Sequence, residues 1–356
     1  MWNANTPVKE DCLYLNIWAP ADANNLTVMQ LADLVQCNRT SVTATIACLR
    51  ERDPKELIAK MWNLNLGFLE FPFAIVARDK NFFREFDAFT ALRNKEYRRD
   101  VNLMIGVNHD EGNYWNIYNL AKYFDVNEQP QLTLDEFYDC VNTAFARLPE
   151  VIRNAANFVY LGEACQRPQG KSRIYADHVN QMVGDYFFTC DSIWLADQME
   201  DAPGKVFIYY FDQHSSANPW PEWTGVMHGY EIEYVFGVPI YNLTAGYTSR
   251  EKTLSHKIIQ YWSSFAATGT PKLSKSKAET VEWPQYKRNN RKWMHLKGGS
   301  HIKPIDAKKK NECSVWRAAR DIEYNEYLLP TSKSSKLVLS IIAIVFIPAA
   351  SLVLSF

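Results

Sequence analysis

Two apolar runs predict strands of a buried sheet. They are VNLMIGVN at residues 101–108 and KVFIYYFD at residues 205–212, and both are nearly continuous in apolar side chains, as strands covered on both faces are. A third segment, LYLNIWAP at residues 13–20, alternates apolar and polar positions and also predicts a strand.

The clearest helix pattern lies at residues 247–269, YTSREKTLSHKIIQYWSSFAATG. Thr248 and Glu251 can form a capping box at its start, and Gly269 followed by Pro271 predicts its end. One apolar face is formed by Leu254, Ile258, Trp262 and Phe265. Because strands and helices interleave along the chain, the pattern predicts an α/β architecture. The basic run at residues 303–310 is expected to be a solvated loop.

Composition narrows the function classes. The chain has 356 residues, 47% of them hydrophobic, and a net charge of -1, so it holds one large domain or two smaller ones. Its charge gives no field that would draw it to nucleic acid. We expect neither a metal site nor a cofactor. The 11 Trp, 19 Tyr and 19 Phe are enough to line a pocket with rings as well as to fill a core.

Cysteines and glycosylation sequons indicate the secretory route. The chain has 7 Cys, and sequons stand at Asn25, Asn38 and Asn242. The odd cysteine count predicts at least one cysteine without an internal partner. Because no signal peptide opens the chain, we expect an N-terminal segment to be missing.

The segment LVLSIIAIVFIPAASLVLSF, residues 337–356, carries no charge. Its length could span a bilayer, and the small residues before it, in TSKSSK, also suit a glycolipid-anchor signal. A buried core helix is the third alternative. We therefore expect residues 331–356 to be a hydrophobic tail that serves as a glycolipid-anchor signal, through which the protein becomes attached to the cell-surface membrane.

Two segments carry candidate acid–base chemistry. His228 stands in GVMHGYEIEYVFG, residues 225–237, between flexible residues. Asp110 and Glu111 stand in GVNHDEGNYW, residues 106–115, directly after a predicted strand. The carboxyl end of a strand is where α/β sheets place functional groups. A carboxylate there could orient an imidazole that acts as a base.

Three motifs resemble one family. EDCLYLNIWAP, GVNHDEGNYW and WPEWTGVMHGYEIEYVFGVP occur here in the order found in the cholinesterase branch of the type-B carboxylesterases. The resemblance extends over nearly the whole chain apart from the tail. It implies an α/β-hydrolase fold and hydrolysis of choline esters such as acetylcholine, by a triad in the order Ser, Glu, His. It assigns the acid to Glu111 rather than Asp110, and the base to His228.

The resemblance also implies a ring-lined pocket for a choline ester. Trp2 corresponds to the indole on which the quaternary ammonium stacks, and Tyr114 to the second ring of that site. Phe71 and Phe73 correspond to the rings that narrow the acyl pocket. Trp62 corresponds to a peripheral aromatic residue at the mouth of the gorge.

The same resemblance implies disulfides, Cys37–Cys48 and Cys190–Cys313. Cys140 and Cys165 have no family counterpart and could pair with each other. Cys12 would pair with a cysteine upstream of Trp2, in a part that this chain lacks. A leftover thiol is what a missing N-terminal segment predicts.

The family's nucleophile motif is absent from the sequence. No Gly-x-Ser-x-Gly pattern occurs; GKSRI at residues 170–174 is the nearest and fails at its last position. There is no HGG stretch for an oxyanion hole either. We expect a family segment to be missing near Met29 and Gln30. Residues 1–330 would then form a truncated carboxylesterase domain with an incomplete mixed sheet flanked by helices, with Glu111 and His228 still close, and without esterase activity.

Two other functions stay open. Some cholinesterase-like proteins act in adhesion without catalysis, and this chain could be such a surface-binding protein. Whatever its function, a homodimer is a possible assembly. A lipase or a general carboxylesterase is the second alternative, although Phe71 and Phe73 favour small acyl groups.

Overall fold

The structure is a computed structural model, and it describes residues 26–64, 66–71, 87–162, 168–273, 281–299, 302–307 and 309–328. The predicted strand at residues 13–20 and the tail at residues 331–356 lie outside the described residues. The chain divides into two compact units, residues 1–99 and residues 100–356.

The described part of the N-terminal unit is helical. Its helices are α1 (Leu26–Leu34), α2 (Val42–Arg50), α3 (Pro54–Met61) and α4 (Ala88–Arg93). Side chains that accept from backbone N–H groups cap three of them: Ser41 for α2, Asp53 for α3 and Asp87 for α4. Such caps satisfy donors that the first helical turn leaves without partners. Helix α1 runs continuously across residues 29 and 30.

A disulfide joins Cys37 and Cys48, as the resemblance implies. It closes the turn between α1 and α2. Leu31 and Val35 pack beside buried Cys37 and Leu64 in a small apolar core. This core is local to the N-terminal unit.

The C-terminal unit contains a mixed sheet of four strands in the order β1-β2-β3-β4. The strands are β1 (Leu103–Asn108), β2 (Val206–Phe211), β3 (Lys292–Leu296) and β4 (Lys303–Asp306). β1, β2 and β3 are parallel, and β4 is antiparallel to β3. Among the described residues β1 has β2 as its only strand partner. The described residues therefore form an open mixed sheet, in keeping with the expected fold class.

The prediction of a loop at residues 303–310 was wrong in its first half. Residues Lys303–Asp306 form β4, with Lys292 opposite Asp306 and His295 opposite Lys303 in the ladder. The side chains of β4 are mostly exposed. The strand is formed by backbone pairing to β3. Because it is a charged edge strand, its sequence shows no alternation of apolar and polar residues, so the pattern does not predict a strand.

Helices surround the sheet on both faces. They are α5 (Glu111–Asn119), α6 (Leu134–Ala144), α7 (Glu150–Leu161), α8 (Arg173–Gly184), α9 (Cys190–Met199), α10 (Ile232–Val235), α11 (Val238–Tyr241), α12 (Ser249–Thr268) and α13 (Lys310–Leu328). A π-helical segment, Asp185–Thr189, joins α8 to α9. The predicted helix at residues 247–269 is α12, with its capping box at Thr248 and Glu251 and with Gly269 in the left-handed region at its end.

The main core lies between the sheet and α12. Phe207 and Phe211 of β2 pack there with Leu254 and Ile258 of α12. Successive residues of a strand point to opposite faces, so Tyr210 points to the other face, where its ring contacts Trp293. The helices α8 and α9 and the π-helical segment border that second face, and α9 contacts both β1 and β2.

A second disulfide, Cys190–Cys313, joins the start of α9 to α13 and matches the pairing that the resemblance implies. The possible Cys140–Cys165 bridge is not formed, since Cys140 is a buried free cysteine. Burial raises the pKa of the Cys140 thiol to about 12, so this thiol is inert at neutral pH. Cys12 and Cys165 lie outside the described residues.

Candidate active site

The candidate acid, Glu111, stands where β1 passes into α5. Glu111 is the first residue of α5 and is buried, with 7% exposure. Its Oε1 accepts from the backbone N–H of Asn108 at 2.7 Å. The unpaired N–H groups at a helix N-terminus favour a negative charge. The strand-to-helix turn therefore holds the carboxyl group of Glu111 in one orientation.

The candidate base, His228, meets this carboxylate from a distant part of the chain. His228 Nδ1 lies 2.6 Å from Glu111 Oε2, and the His228 side chain is 38% exposed. Burial lowers the pKa of His228, but the hydrogen bond to Glu111 and the negative charges of Glu111 and Glu231 outweigh burial, so the pKa lies above its ordinary value of 6.5. Because Nδ1 is bound to the carboxylate, Nε2 is the nitrogen left to exchange a proton.

Asn108 holds the histidine segment against the end of β1. The buried Asn108 side chain donates from Nδ2 to the carbonyl oxygen of Met227 and to Glu231 Oε2, both at 2.8 Å. Met227 directly precedes His228. Asn108 thus touches both partners of the acid–base pair, Glu111 through its backbone and the His228 segment through its side chain.

Asp110 has a structural place beside the pair. Its Oδ2 accepts from the Val226 N–H at 2.8 Å, and its Oδ1 accepts from Asn180 Nδ2 at 2.9 Å. Gly225 has a φ of +68°, and a Cβ built there would lie 2.1 Å from Asp110 Oδ2. Only glycine allows this approach without strain. Asp110 is thus bound to the segment before His228 and to α8, whereas Glu111 is the carboxylate that contacts the His228 ring.

Glycines also let α8 approach the turn closely. A Cβ at Gly112 would lie 2.1 Å from the carbonyl oxygen of Asn180, and one at Gly184 would lie 3.2 Å from Glu111 Cβ. Two helices can pack this closely only where side chains are absent. Glu111 is therefore supported on one side by α8 and on the other by His228.

Aromatic rings surround His228. The Phe188 ring centroid lies 4.5 Å from that of His228, and the Trp115 centroid lies 5.6 Å away. Phe188 belongs to the π-helical segment, and such segments often occur at functional sites. Sequence reasoning missed Phe188, because no periodicity predicts a π-helix. It also missed Asn108, whose one signal is a polar side chain at the carboxyl end of an apolar strand.

The predicted choline-site ring Tyr114 lies one helical position before Trp115. Its ring contacts Trp115, Tyr118 and Trp220, with centroid distances of 5.0, 5.1 and 6.4 Å. Partial burial, helped by Tyr118, raises the pKa of Tyr114 to about 12, so the ring is neutral at physiological pH. Trp220 Nε1 donates to the hydroxyl of Tyr230, two residues after His228.

Of the other predicted site residues, two are described by the structure and two are not. Trp62 and Phe71 belong to the N-terminal unit and are 53% and 52% exposed. Trp2 and Phe73 lie outside the described residues. In the described part of the chain no three His, Cys, Asp or Glu side chains are placed to hold a metal ion.

Two of the predicted sequons fall on described residues. Asn38 is exposed and donates to Asp33 Oδ1 at 2.6 Å. Asn242 follows α11 and its Oδ1 accepts from the Thr244 hydroxyl at 3.0 Å. Asn25 lies outside the described residues. Glycosylation at these positions stays a prediction.

Comparison with known proteins relates this geometry to a family. A sequence model described as the carboxylesterase family matches residues 26–316. Acetylcholinesterase 4 of Caenorhabditis briggsae is 48% identical over 333 residues, which are 90% of this chain and 55% of that protein. An acetylcholinesterase of Leptinotarsa decemlineata is 33% identical over 67% of this chain and 36% of its own length. A cholinesterase of Mus musculus is 30% identical over 84% of this chain and 49% of its own.

Proposed function

Because the chain belongs to the carboxylesterase family, we propose that Glu111 and His228 are the acid and the base of a choline-ester hydrolase. The observation that carries this proposal is the 2.6 Å contact between Glu111 Oε2 and His228 Nδ1. The names of the acetylcholinesterase and cholinesterase relatives support a choline ester as the substrate.

The roles follow from the geometry of the pair. In acyl transfer, Nε2 of His228 takes the proton of an attacking hydroxyl and later gives it to the departing alcohol, here the oxygen of choline. Glu111 stabilises the imidazolium that forms between these steps and fixes the tautomer that leaves Nε2 free. Phe188 and Trp115 lie against the imidazole, with ring centroids 4.5 and 5.6 Å from that of His228.

The pocket that we propose is aromatic. Tyr114 supplies one ring of the choline site, and the cluster that it forms with Tyr118 and Trp220 offers faces to a quaternary ammonium. Such a cation–π contact is worth about 2 kcal/mol once both groups lose water. We assign Trp2 to the same site, Phe71 and Phe73 to the acyl pocket, and Trp62 to its entrance.

We further propose that the chain as written does not hydrolyse esters. The sequence contains no Gly-x-Ser-x-Gly motif and no HGG stretch, so His228 has no serine of that motif from which to take a proton. The chain spans between 36% and 55% of the length of the three relatives. A family segment missing near residues 29 and 30 is our explanation for the absent motifs.

The first test uses the chain as it stands, secreted from a eukaryotic host. We expect no hydrolysis of acetylthiocholine and no serine labelling by an organophosphate probe. Labelling of one serine per chain would contradict the proposal. Binding of a soluble partner without turnover would instead support the adhesion alternative.

The second test restores the nucleophile. A segment that carries the Gly-x-Ser-x-Gly and HGG motifs of the family is inserted between Met29 and Gln30, and acetylthiocholine hydrolysis is expected to appear. In that chimera His228→Ala should lower kcat by up to about 10⁶, the effect of losing a triad base in other serine hydrolases. Glu111→Gln should lower kcat about 10⁴-fold. If either variant kept a kcat within a few-fold of that of the unmutated chimera, the triad assignment would be wrong.

Location and assembly belong to the same proposal. The two disulfides support an oxidising compartment, and hence the secretory pathway. Among the described residues no helix is long and apolar enough to cross a membrane. The charge-free run at residues 337–356 supports attachment to a membrane. The homodimer stays a prediction.

A further inference from the structure

A pocket lies behind the acid–base pair, between the sheet and α8. Its volume is about 190 Å³, and the residues around it include Asn108, Glu111, Asn180, Asp185, Trp293 and Lys309. They come from the carboxyl end of β1, from α5, from α8 and the π-helical segment, from β3, and from the residue before α13. The pocket therefore borders the turn that carries Glu111.

Three buried polar groups around this pocket lack partners among the described residues. They are the amide oxygens Oδ1 of Asn108 and Asn180 and the indole nitrogen Nε1 of Trp293. The three residues are only 3%, 5% and 1% exposed. A buried polar group without a hydrogen bond costs about 1–3 kcal/mol. Three such groups around one pocket indicate that the pocket holds a partner for them.

The chemistry of the three groups identifies the occupant. Two are acceptors and one is a donor, so the occupant must both donate and accept. A cation would meet the Trp293 N–H and the ammonium of Lys309, and an anion would meet the carboxylates of Glu111 and Asp185. The pocket greatly exceeds the roughly 10–15 Å³ that one water molecule needs. Water meets all of these conditions.

We propose that this pocket is a water-binding site whose bound water molecules bridge Asn108 Oδ1, Asn180 Oδ1 and Trp293 Nε1. Asn108 already donates to the His228 segment, and Asn180 already donates to Asp110. Bound water then joins the two amides to each other and to β3. The turn at residues 108–111 is held by water on the side opposite His228. The inference does not depend on the proposed ester hydrolysis.

The first test measures contact with water directly. In the intact chain, NOESY and ROESY spectra should show a cross-peak between the Trp293 indole proton and water. Trp283 is a matched control because its Nε1 is also buried and without a partner among the described residues, but it packs in the apolar core beside α12. We expect no such cross-peak for Trp283. Absence of the Trp293 cross-peak would overturn the proposal.

The second test separates water from ions. The Trp293 indole resonance is followed while potassium chloride, or choline chloride at equal ionic strength, is added. We expect the two salts to give the same small shift. A saturable shift with potassium alone would show a cation site and would refute the water assignment.

The third test counts the bound water. Water ¹⁷O relaxation dispersion reports molecules that stay bound for long times, and Asn180→Leu should remove at least one of them. Asn157→Leu is the matched control, since Asn157 Oδ1 is likewise buried and lacks a partner among the described residues, but Asn157 lies on α7 and does not line the pocket. Equal dispersion amplitudes in both variants and the wild type would contradict the proposal. If Asn180→Leu fails to fold, the Trp293 cross-peak in the wild type still shows whether water occupies the pocket.

Discussion

At the scale of single residues, one contact sets both the position and the charge of His228. The carboxylate of Glu111 approaches Nδ1 while Phe188 and Trp115 cover the imidazole. Desolvation by these rings favours the neutral ring, and the carboxylate favours the charged ring. Desolvation is the largest single influence on the pKa of His228. The hydrogen bond to Glu111 and the negative charges of Glu111 and Glu231 together outweigh it and raise that pKa.

The resulting titration of His228 is testable. Its NMR midpoint should lie above the ordinary pKa of 6.5. Since the pKa is raised in the folded state, the pair stabilises the fold fully below about pH 6.5, and this stability is lost as pH rises through the folded pKa. Glu111→Gln should bring the midpoint below that of the wild type, because burial then acts with less opposition. Glu222→Gln, an exposed change in the same loop, should leave it unchanged. A midpoint unaffected by Glu111→Gln would show that the contact is absent in solution.

Sequence reasoning reached Glu111 and His228 but not the residues that hold them. The motifs around both are long enough to carry a family resemblance. Asn108 and Asn180 act through contacts between segments 70 or more residues apart in the chain, Asn108 with Met227 and Asn180 with Asp110. No local spacing encodes such contacts, so they become visible only when the fold is known.

At the scale of elements, α12 is specified mainly by its first turn. The Thr248 hydroxyl accepts from the Glu251 N–H, and Glu251 Oε2 accepts from the Thr248 N–H at 2.7 Å. Glu251 also accepts from Ser216 and from the hydroxyl of Tyr234. Burial raises the pKa of Glu251, but these hydrogen bonds outweigh burial and lower it. The capping box therefore also connects α12 to the loop after β2.

Thr248→Ala should lower the free energy of unfolding by about 1 kcal/mol, the usual cost of losing an N-cap. The change removes the side-chain acceptor for the Glu251 N–H and leaves Glu251 with fewer hydrogen bonds. Thr253→Ala is the control, since the Thr253 hydroxyl is exposed and donates to the carbonyl oxygen of Ser249 within the same helix; its effect should be close to zero. Urea unfolding of both variants measures the difference. If both variants lost the same free energy of unfolding, the Thr248 cap would not stabilise the helix.

The elements that the sequence predicted are stabilised by burial of apolar side chains, whereas the elements that it missed are not. β1, β2 and α12 are covered by other elements, so burial imposes an apolar pattern that the sequence displays. β4 forms by backbone pairing at a solvated edge, and the π-helical segment by one extra residue in a continuous helix. Neither cause leaves a hydrophobic period in the sequence.

At the scale of the whole molecule, sequence patterns predicted α/β layers but not the strand order. β1 and β2 are about 100 residues apart, and β2 and β3 about 80, yet they are neighbours in one parallel sheet. The apolar runs show that these strands are buried, whereas the choice of partner depends on the packing of all the helices between them. The incomplete sheet was expected because the nucleophile motif is missing. That expectation came from the family resemblance and not from any local hydrophobic pattern.

The two disulfides should stabilise the chain to different extents because they close loops of different lengths. Cys190 and Cys313 are 123 residues apart, whereas Cys37 and Cys48 are 11 apart. By the entropy of loop closure in the unfolded chain, the long loop is worth about 5 kcal/mol and the short one about 3 kcal/mol. Each bridge is best removed as a pair, C190S with C313S and C37S with C48S, so that no free thiol can form a wrong bridge. Each unit can unfold in its own transition, and the urea midpoint of each is measured.

We expect the first pair of changes to destabilise the C-terminal unit by more than the second destabilises the N-terminal unit. The first should also loosen α13, which this bridge joins to α9, so amide exchange in α13 should rise more than in α12. Since α12 carries neither cysteine, it serves as the internal reference. An equal or larger loss from the short bridge would show that residual structure in the unfolded chain, rather than loop length, sets the contribution of these disulfides.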